Sequence, residues 1–232
     1  IKTLIPWIKQ TNLNQIKILR ANDCYIYSKK NRYTDFTSGA MAVNLGHGNK
    51  HILDGFKEHM NSGISYIPSS FSNYQRDKLS ERITNMTPFE KVLFTNAGVD
   101  ANEAAIFIAN EYFRYKKGII KNRTLSFTHS FHGGSTIGSS LISGDNRRNN
   151  KTRYYRLPLE PILQNPDLND NGDASLKQIE DIVKGRHYNI SSILVEGSSG
   201  TAGCILYPKN YLSRLHEICK KYNILMICDE VM

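Results

Sequence analysis

Two apolar runs in this sequence end in carboxylates. Ile224 to Met232 reads ILMICDEVM and carries Asp229 at the end of its run. Ile193 to Gly203 reads ILVEGSSGTAG and carries Glu196 just ahead of a Gly/Ser-rich loop. An acid delivered to such a place is at least half buried and needs a partner. Asp229 facing a pyridine nitrogen would keep that nitrogen protonated, and the protonated ring then acts as an electron sink for carbanion chemistry. An Asp-Glu pair at a strand end could instead hold a metal, as in nucleotide hydrolases. That chemistry also requires a phosphate loop of the form GxxxxGK[ST], which the sequence lacks. For Glu196 the plainer alternative is a helix cap or a salt bridge at a sheet rim.

Two further stretches have types and spacing suited to a flat, phosphorylated ligand. Phe94 to Ala105 reads FTNAGVDANEAA, a strand end, a glycine turn and a helix start. The backbone amides of Gly98 and Val99 would point at an anion, helped by the helix dipole. Asp100 and Glu103 fall in the first turn. Taken singly, this is also how an ordinary strand-turn-helix looks. Ser126 to Thr136 reads SFTHSFHGGST, with Phe131, His132 and Gly133 just after a strand. An aromatic there can cover a heterocycle, and glycine permits close backbone approach. By themselves Phe131 reads as a core aromatic and His132 as a structural hydrogen-bonder.

The elements that must position these residues follow from periodicity. IKIL, CYIYS and RYTDF, between Ile16 and Phe36, read as short antiparallel strands with a turn at Lys30-Asn31. Ile52, Phe56 and Met60 share one helical face, and Leu79, Ile83 and Met86 share another that ends before Pro88. From Lys91 onward strands and helices alternate. KVLFTN, RTLSFTH, TRYYRL, SSILVEG and ILMICDE are the expected strands. Val99 to Tyr115, with Ala105, Ile108, Ala109 and Tyr112 on its apolar side, Ala174 to Lys184, and Pro208 to Tyr222 are the expected helices. Alternation of this kind predicts an α/β domain with a mostly parallel sheet. Ligands of such sheets gather beyond the carboxyl ends of the strands, where each motif above sits.

Composition excludes several classes. Apolar residues make up 40% and charged residues 22% of the 232, as in a globular protein. No run reaches the roughly 18 apolar residues of a membrane span, and the N-terminus has no signal-peptide pattern, so no membrane partner is expected. The net charge is +9, yet Lys and Arg are scattered among Asn-rich turns such as DNRRNNKTR, without a nucleic-acid-binding signature. A solvated basic surface is expected, with no nucleic acid. Cys24, Cys204, Cys219 and Cys228 form no CxxC pair and no His/Cys cluster with zinc spacing, so reduced thiols in a cytoplasmic protein are expected and no metal. A mitochondrial location is the alternative.

The order and spacing of these four motifs resemble the class III aminotransferases, enzymes with the type I fold of pyridoxal-phosphate-dependent transferases. The similarity also covers Trp7 and the stretch TDFTSGAMAVNLGHGNKHI. GDNRR at Gly144 to Arg148, GTAG at Gly200 to Gly203, and DEVM lean toward the ω-aminotransferase branch that includes taurine–pyruvate and β-alanine–pyruvate enzymes. The resemblance implies a mostly parallel sheet flanked by helices, truncated, with a small N-terminal antiparallel segment. Residues 1–50 would belong to the small domain and 51–232 to part of the cofactor domain. It implies pyridoxal 5'-phosphate as cofactor, held by Gly98 and Val99 at the phosphate, Phe131 on the ring, His132 shaping that wall, Glu196 near the 3′ oxygen and Asp229 at the pyridine nitrogen. Trp7, Met41 and Val43 would line the substrate pocket. An amino donor, a keto acid and a homodimer partner are implied too.

Three departures stand out. Asp100 replaces the family's usual Glu, and Gly197 replaces a common Pro. The family's Schiff-base lysine comes on a later strand than Asp229, after which this sequence has only Glu230, Val231 and Met232. No catalytic residue is therefore expected in this chain, which would be inactive alone. The alternatives are a non-catalytic product that pairs with a full-length subunit, and an unrelated α/β nucleotide-binding protein.

Overall fold

The computed structural model describes residues 16–68, 70–133 and 163–232. Trp7, the GDNRR stretch and the expected strand TRYYRL lie outside the described residues. The chain divides into two compact units, 1–88 and 89–232.

The first unit opens with an antiparallel meander of three short strands: β1 (Arg20–Asn22), β2 (Tyr25–Tyr27) and β3 (Arg32–Thr34). The first strand starts after IKIL rather than within it. The Leu19 amide donates to Tyr27 O, at 2.8 Å. The turn falls at Lys30-Asn31 as the sequence predicts, closed by the Ser28 amide on Asn31 O at 2.9 Å. Arg20 and Arg32 stack over the rings of Tyr27 and Tyr25, 3.9 and 4.6 Å from their centres, which is how a meander this exposed gains cross-strand contact. The segment Gly46-His47-Gly48 returns to the hairpin. Asp23 and His47 exchange backbone hydrogen bonds at 2.7 and 2.8 Å. Gly46 has φ +85°, and a β-carbon there would lie 2.9 Å from Asp23 Oδ1, so only glycine fits this approach.

Among the described residues two longer helices follow: α1 (Lys50–Asn61), capped by Asn49, and α2 (Tyr74–Met86), capped by Asn73. Each asparagine accepts from a backbone amide of the first turn. The apolar face of α1 forms as its periodicity predicts, but Ile52, Phe56 and Met60 are exposed. Helical spacing specifies a face, and a neighbouring element is needed to bury it.

The second unit has a three-stranded parallel sheet in the order β4 (Arg123–Leu125), β5 (Ile190–Glu196), β6 (Leu225–Asp229). Among the described residues its helices are α3 (Gly98–Glu111), which runs on into a π turn over Tyr112–Lys116, α4 (Asp173–Arg186) and α5 (Tyr211–Lys221). Every residue of β5 is buried, as in a parallel strand covered on both faces. The core joins Leu125, Phe127, Leu163, Ile179, Val183, Ile193, Val195, Leu215 and Cys219. Tyr211 lies within it, its hydroxyl 2.7 Å from Ser175 Oγ. Burial pushes the Cys219 thiol up to about 12. The four cysteines are free thiols, three of them exposed.

Two expectations are corrected. KVLFTN is not a strand: among the described residues no strand pairs with 91–96, and an extended segment without a hydrogen-bonded neighbour is only a loop. On α3 the buried side is Asn102, Ala109 and Phe113, whereas Ile108 is exposed and Tyr112 borders on it. The sequence of α3 is apolar around most of its circumference. Periodicity therefore could not choose a face, and a polar residue, Asn102, took the innermost place because it has hydrogen-bond partners there.

Candidate functional site at the carboxyl ends of the parallel strands

β5 and β6 run side by side in register, with Glu196 directly opposite Asp229 at their carboxyl ends. The apolar run of each strand carries its last residue, the acid, to the sheet rim, where both acids are buried. Beyond the rim the Gly197 amide donates to Asp229 O at 3.4 Å. A β-carbon on Gly197 would come within 3.1 Å of both Glu230 carboxylate oxygens, so the loop after Glu196 runs close to the Glu230 side chain.

Asp229 is 7% exposed. Its Oδ2 accepts from Asn102 Nδ2 at 2.8 Å and is 2.9 Å from His132 Nδ1. Its Oδ1 accepts from the Val231 amide at 3.2 Å. Burial pushes this carboxyl upward, but the hydrogen bonds from His132 and Asn102, the charge of His132 and the Val231 amide outweigh it. The group is held below the usual aspartate range and is ionised at neutral pH. Asn102 Nδ2 also lies 3.3 Å from His132 O, so one amide group ties α3, the loop after β4 and the end of β6 together.

Glu196 behaves oppositely. Burial is the largest influence and raises its carboxyl above the usual range. A hydrogen bond from Ser199 Oγ at 2.9 Å, the charge of His132 and the Phe131 backbone N–H offset part of that. The charge of Asp229 pushes the same way as burial. Two neighbouring acids thus have environments that drive them apart, as happens at reactive sites. The Tyr207 phenol is raised by burial and by the charge of Glu196, which places it in the same neighbourhood.

The start of α3 reaches this rim as well. Ala97 provides no side-chain cap, so the amides of Gly98 and Val99 open the helix without one. A β-carbon on Gly98 would sit 2.9 Å from Val231 Cγ2, two residues beyond Asp229. The helix start and the aspartate strand are therefore in contact.

Of the residues singled out from sequence, Gly98, Val99, Phe131, His132, Glu196 and Asp229 all fall at this one rim. Met41 and Val43 belong to the first unit, and Trp7 is outside the described residues. Sequence reasoning missed Asn102, Ser199 and Tyr207. Nothing in the period of α3 marks Asn102 as buried. The only signal was its place one turn into a glycine-led helix. Among the described residues no cluster of acids, histidines or cysteines could hold a metal.

A parallel sheet with an ionised aspartate at one strand end, an opposed glutamate at the next and an uncapped glycine-led helix beside them is the rim of an α/β enzyme. The chain belongs to the class III aminotransferases: the family's profile matches residues 8–232. It is 34% identical over 215 residues to mitochondrial ornithine aminotransferase of Arabidopsis thaliana, covering 91% of this chain and 43% of that protein. It is 30% identical to acetylornithine aminotransferase of Aquifex aeolicus, covering 93% of this chain and 54% of that one. Among solved structures, taurine:2-oxoglutarate aminotransferase from Bifidobacterium kashiwanohense, in complex with pyridoxal phosphate and glutamate, superposes with a TM-score of 0.85 at 29% identity. That match covers 97% of this chain and 52% of the other. An amine transaminase from an uncultivated Pseudomonas species superposes with a TM-score of 0.91 at 24% identity, which shows the fold alone. The chain spans about half the length of the curated relatives it matches. The cofactor of this family is pyridoxal phosphate.

Proposed function

We propose that this chain carries the cofactor cradle of an aminotransferase that moves the amino group of an ω-amino compound to a keto acid such as pyruvate. The observation that carries the proposal is the ionised Asp229 carboxylate, held by His132 and Asn102 next to Glu196 and the start of α3. The residues fit pyridoxal phosphate: an anionic acceptor for a protonated ring nitrogen lies at the same rim as uncapped helix-start amides suited to a phosphate. When bound, the cofactor supplies an electron sink for carbanion chemistry at the substrate carbon.

The chain's own residues divide the remaining work. Asp229 would hold a proton on the ring nitrogen, and the donors on its Oδ2 keep it ionised and oriented. The Gly98 and Val99 amides would bind the phosphate. Phe131 would cover the ring, and His132 would shape that wall while it fixes Asp229. Glu196 would meet an oxygen substituent of the ring, where its raised carboxyl favours hydrogen bonding over bare charge. By the family resemblance, Met41 and Val43 are the candidates for contact with the amino donor. Residues 1–50 belong to the small domain and 51–232 to the cofactor domain, and the protein works as a homodimer in the cytoplasm. Ornithine, acetylornithine and taurine, in the names of the relatives above, are all compounds with a primary amine remote from an acid group, which supports an ω-amino donor.

Titration with pyridoxal phosphate tests this. The chain should show a perturbed cofactor absorbance band and a raised melting temperature, both lost in Asp229→Ala. Equal binding by the parent and the variant would overturn the cradle. A second reading, a non-catalytic partner of a full-length subunit, shares the same cradle and is separated from the first by co-purification.

A further inference from the structure

Ser38, Gly39, Ala40 and Met41 all have positive φ, at 48°, 60°, 58° and 66°. With ψ of 41° at Gly39 and 49° at Ala40, this is one turn of left-handed helix. Three of its four residues carry a β-carbon, which this conformation crowds against the following carbonyl. Such a turn persists only where its surroundings impose it, and conformations of this kind cluster at sites that grip ligands.

The imposing group is Asp35. Its Oδ1 accepts from the Thr37 amide at 3.0 Å and the Thr37 hydroxyl at 2.7 Å. Its Oδ2 accepts from the Gly39 amide at 2.7 Å and lies 3.0 Å from His47 Nε2. The hydrogen bond from the Thr37 hydroxyl, then that from His47, hold this carboxyl well below the usual aspartate range. His47 is itself pinned by its backbone exchange with Asp23. The partners of Asp35 thus flank the turn: Thr37 before it, Gly39 inside it and His47 after it. Beyond the turn the Ala42 and Val43 amides both close on Ser38 O, at 3.0 and 2.9 Å, so the place of Val43 follows from the turn.

We propose that Asp35 is a positioning residue whose carboxylate locks the left-handed turn 38–41 and so sets how Met41 and Val43 are presented. That the presented side chains meet the amino donor rests on the function proposed above, whereas the lock does not.

Amide hydrogen exchange on the 232-residue chain tests the lock directly. Asp35→Asn leaves one acceptor oxygen where two are needed. Exchange at Gly39, Ala42 and Val43 should quicken at least tenfold while the β2 amides keep their protection. Thr37→Val, which removes the hydroxyl that donates to Asp35 and accepts from the Ala40 amide at 3.5 Å but spares the carboxylate, should quicken the same amides by a smaller factor. Adding Ala40→Gly to Asp35→Asn should not restore the slow exchange, because glycine eases the turn without supplying an acceptor. Unchanged exchange at Gly39 in both Asp35→Asn and Thr37→Val would overturn the lock. A separate arm measures β-alanine binding to the cofactor-loaded chain, where Met41→Ala should weaken binding with exchange unaltered. If Met41→Ala binds as the parent does, the donor-side assignment falls and the lock stands.

Discussion

Asn102 and Asp229, 127 positions apart, are joined by a hydrogen bond of 2.8 Å inside the second unit. One residue opens the second turn of α3 and the other ends β6, so this bond connects the glycine-led helix start to the acid at the strand end. It is charge-assisted, because Asp229 is ionised, and bonds of that kind contribute about 1.5–3 kcal/mol. Asn102→Leu should therefore destabilise the chain by about 2 kcal/mol in urea unfolding. It should also raise the titration midpoint of Asp229, followed by carbon NMR of its carboxyl. An unmoved midpoint would show that His132 alone sets the charge of Asp229.

The two rim carboxylates should leave opposite marks on pH dependence. Asp229 has a depressed folded value, so its stabilisation is present above the unfolded aspartate value and is lost as pH falls through the folded one. Asp229→Asn should cost about 3 kcal/mol at pH 7, and the deficit should shrink in acid. Glu196 has a raised folded value. Its native state binds the proton more tightly, so stability falls as pH climbs from the unfolded glutamate value through the folded one. Glu196→Gln should raise the melting temperature at pH 7 and lose that advantage below the ordinary glutamate range. Melting curves of both variants from pH 3 to 8 provide the check.

At Gly98 the prediction concerns space. A β-carbon there would lie 2.9 Å from Val231 Cγ2, so something must shift. Gly98→Ala should cost about 1 kcal/mol and weaken pyridoxal phosphate binding. Adding Val231→Ala removes the obstructing methyl and should restore stability, a non-additive pair in a double-mutant cycle. Simple additivity would mean that the two positions do not touch.

The core makes a harsher demand at Gly172. It has φ +75°, and a β-carbon would meet Tyr211 Cδ2 at 2.5 Å and Pro166 Cβ at 3.1 Å. Tyr211 cannot yield easily, since it is fully buried and bonded to Ser175. Gly172→Ala should lose about 2–4 kcal/mol in denaturant unfolding, well beyond an ordinary surface change.

By itself the sequence determined the order α3, β4, α4, β5, α5, β6 among the described residues, the turn at Lys30-Asn31, and the placing of Glu196 and Asp229 at the ends of apolar runs. These follow from local pattern: a short apolar run bounded by turn residues favours a buried strand, and the polar residue that ends the run falls at the rim. The family was legible for the same reason, in four local motifs in order. Only the tertiary structure decided that Asn102 turns inward, that KVLFTN pairs with no strand among the described residues, and that Glu196 and Asp229 stand opposite each other with carboxyls pushed in opposite directions. It alone showed that Asp35 bends residues 38–41 into a left-handed turn. Each of these depends on which partner arrives from a distant part of the chain, and hydrogen bonding and burial at a shared rim are not encoded in the spacing of any single segment.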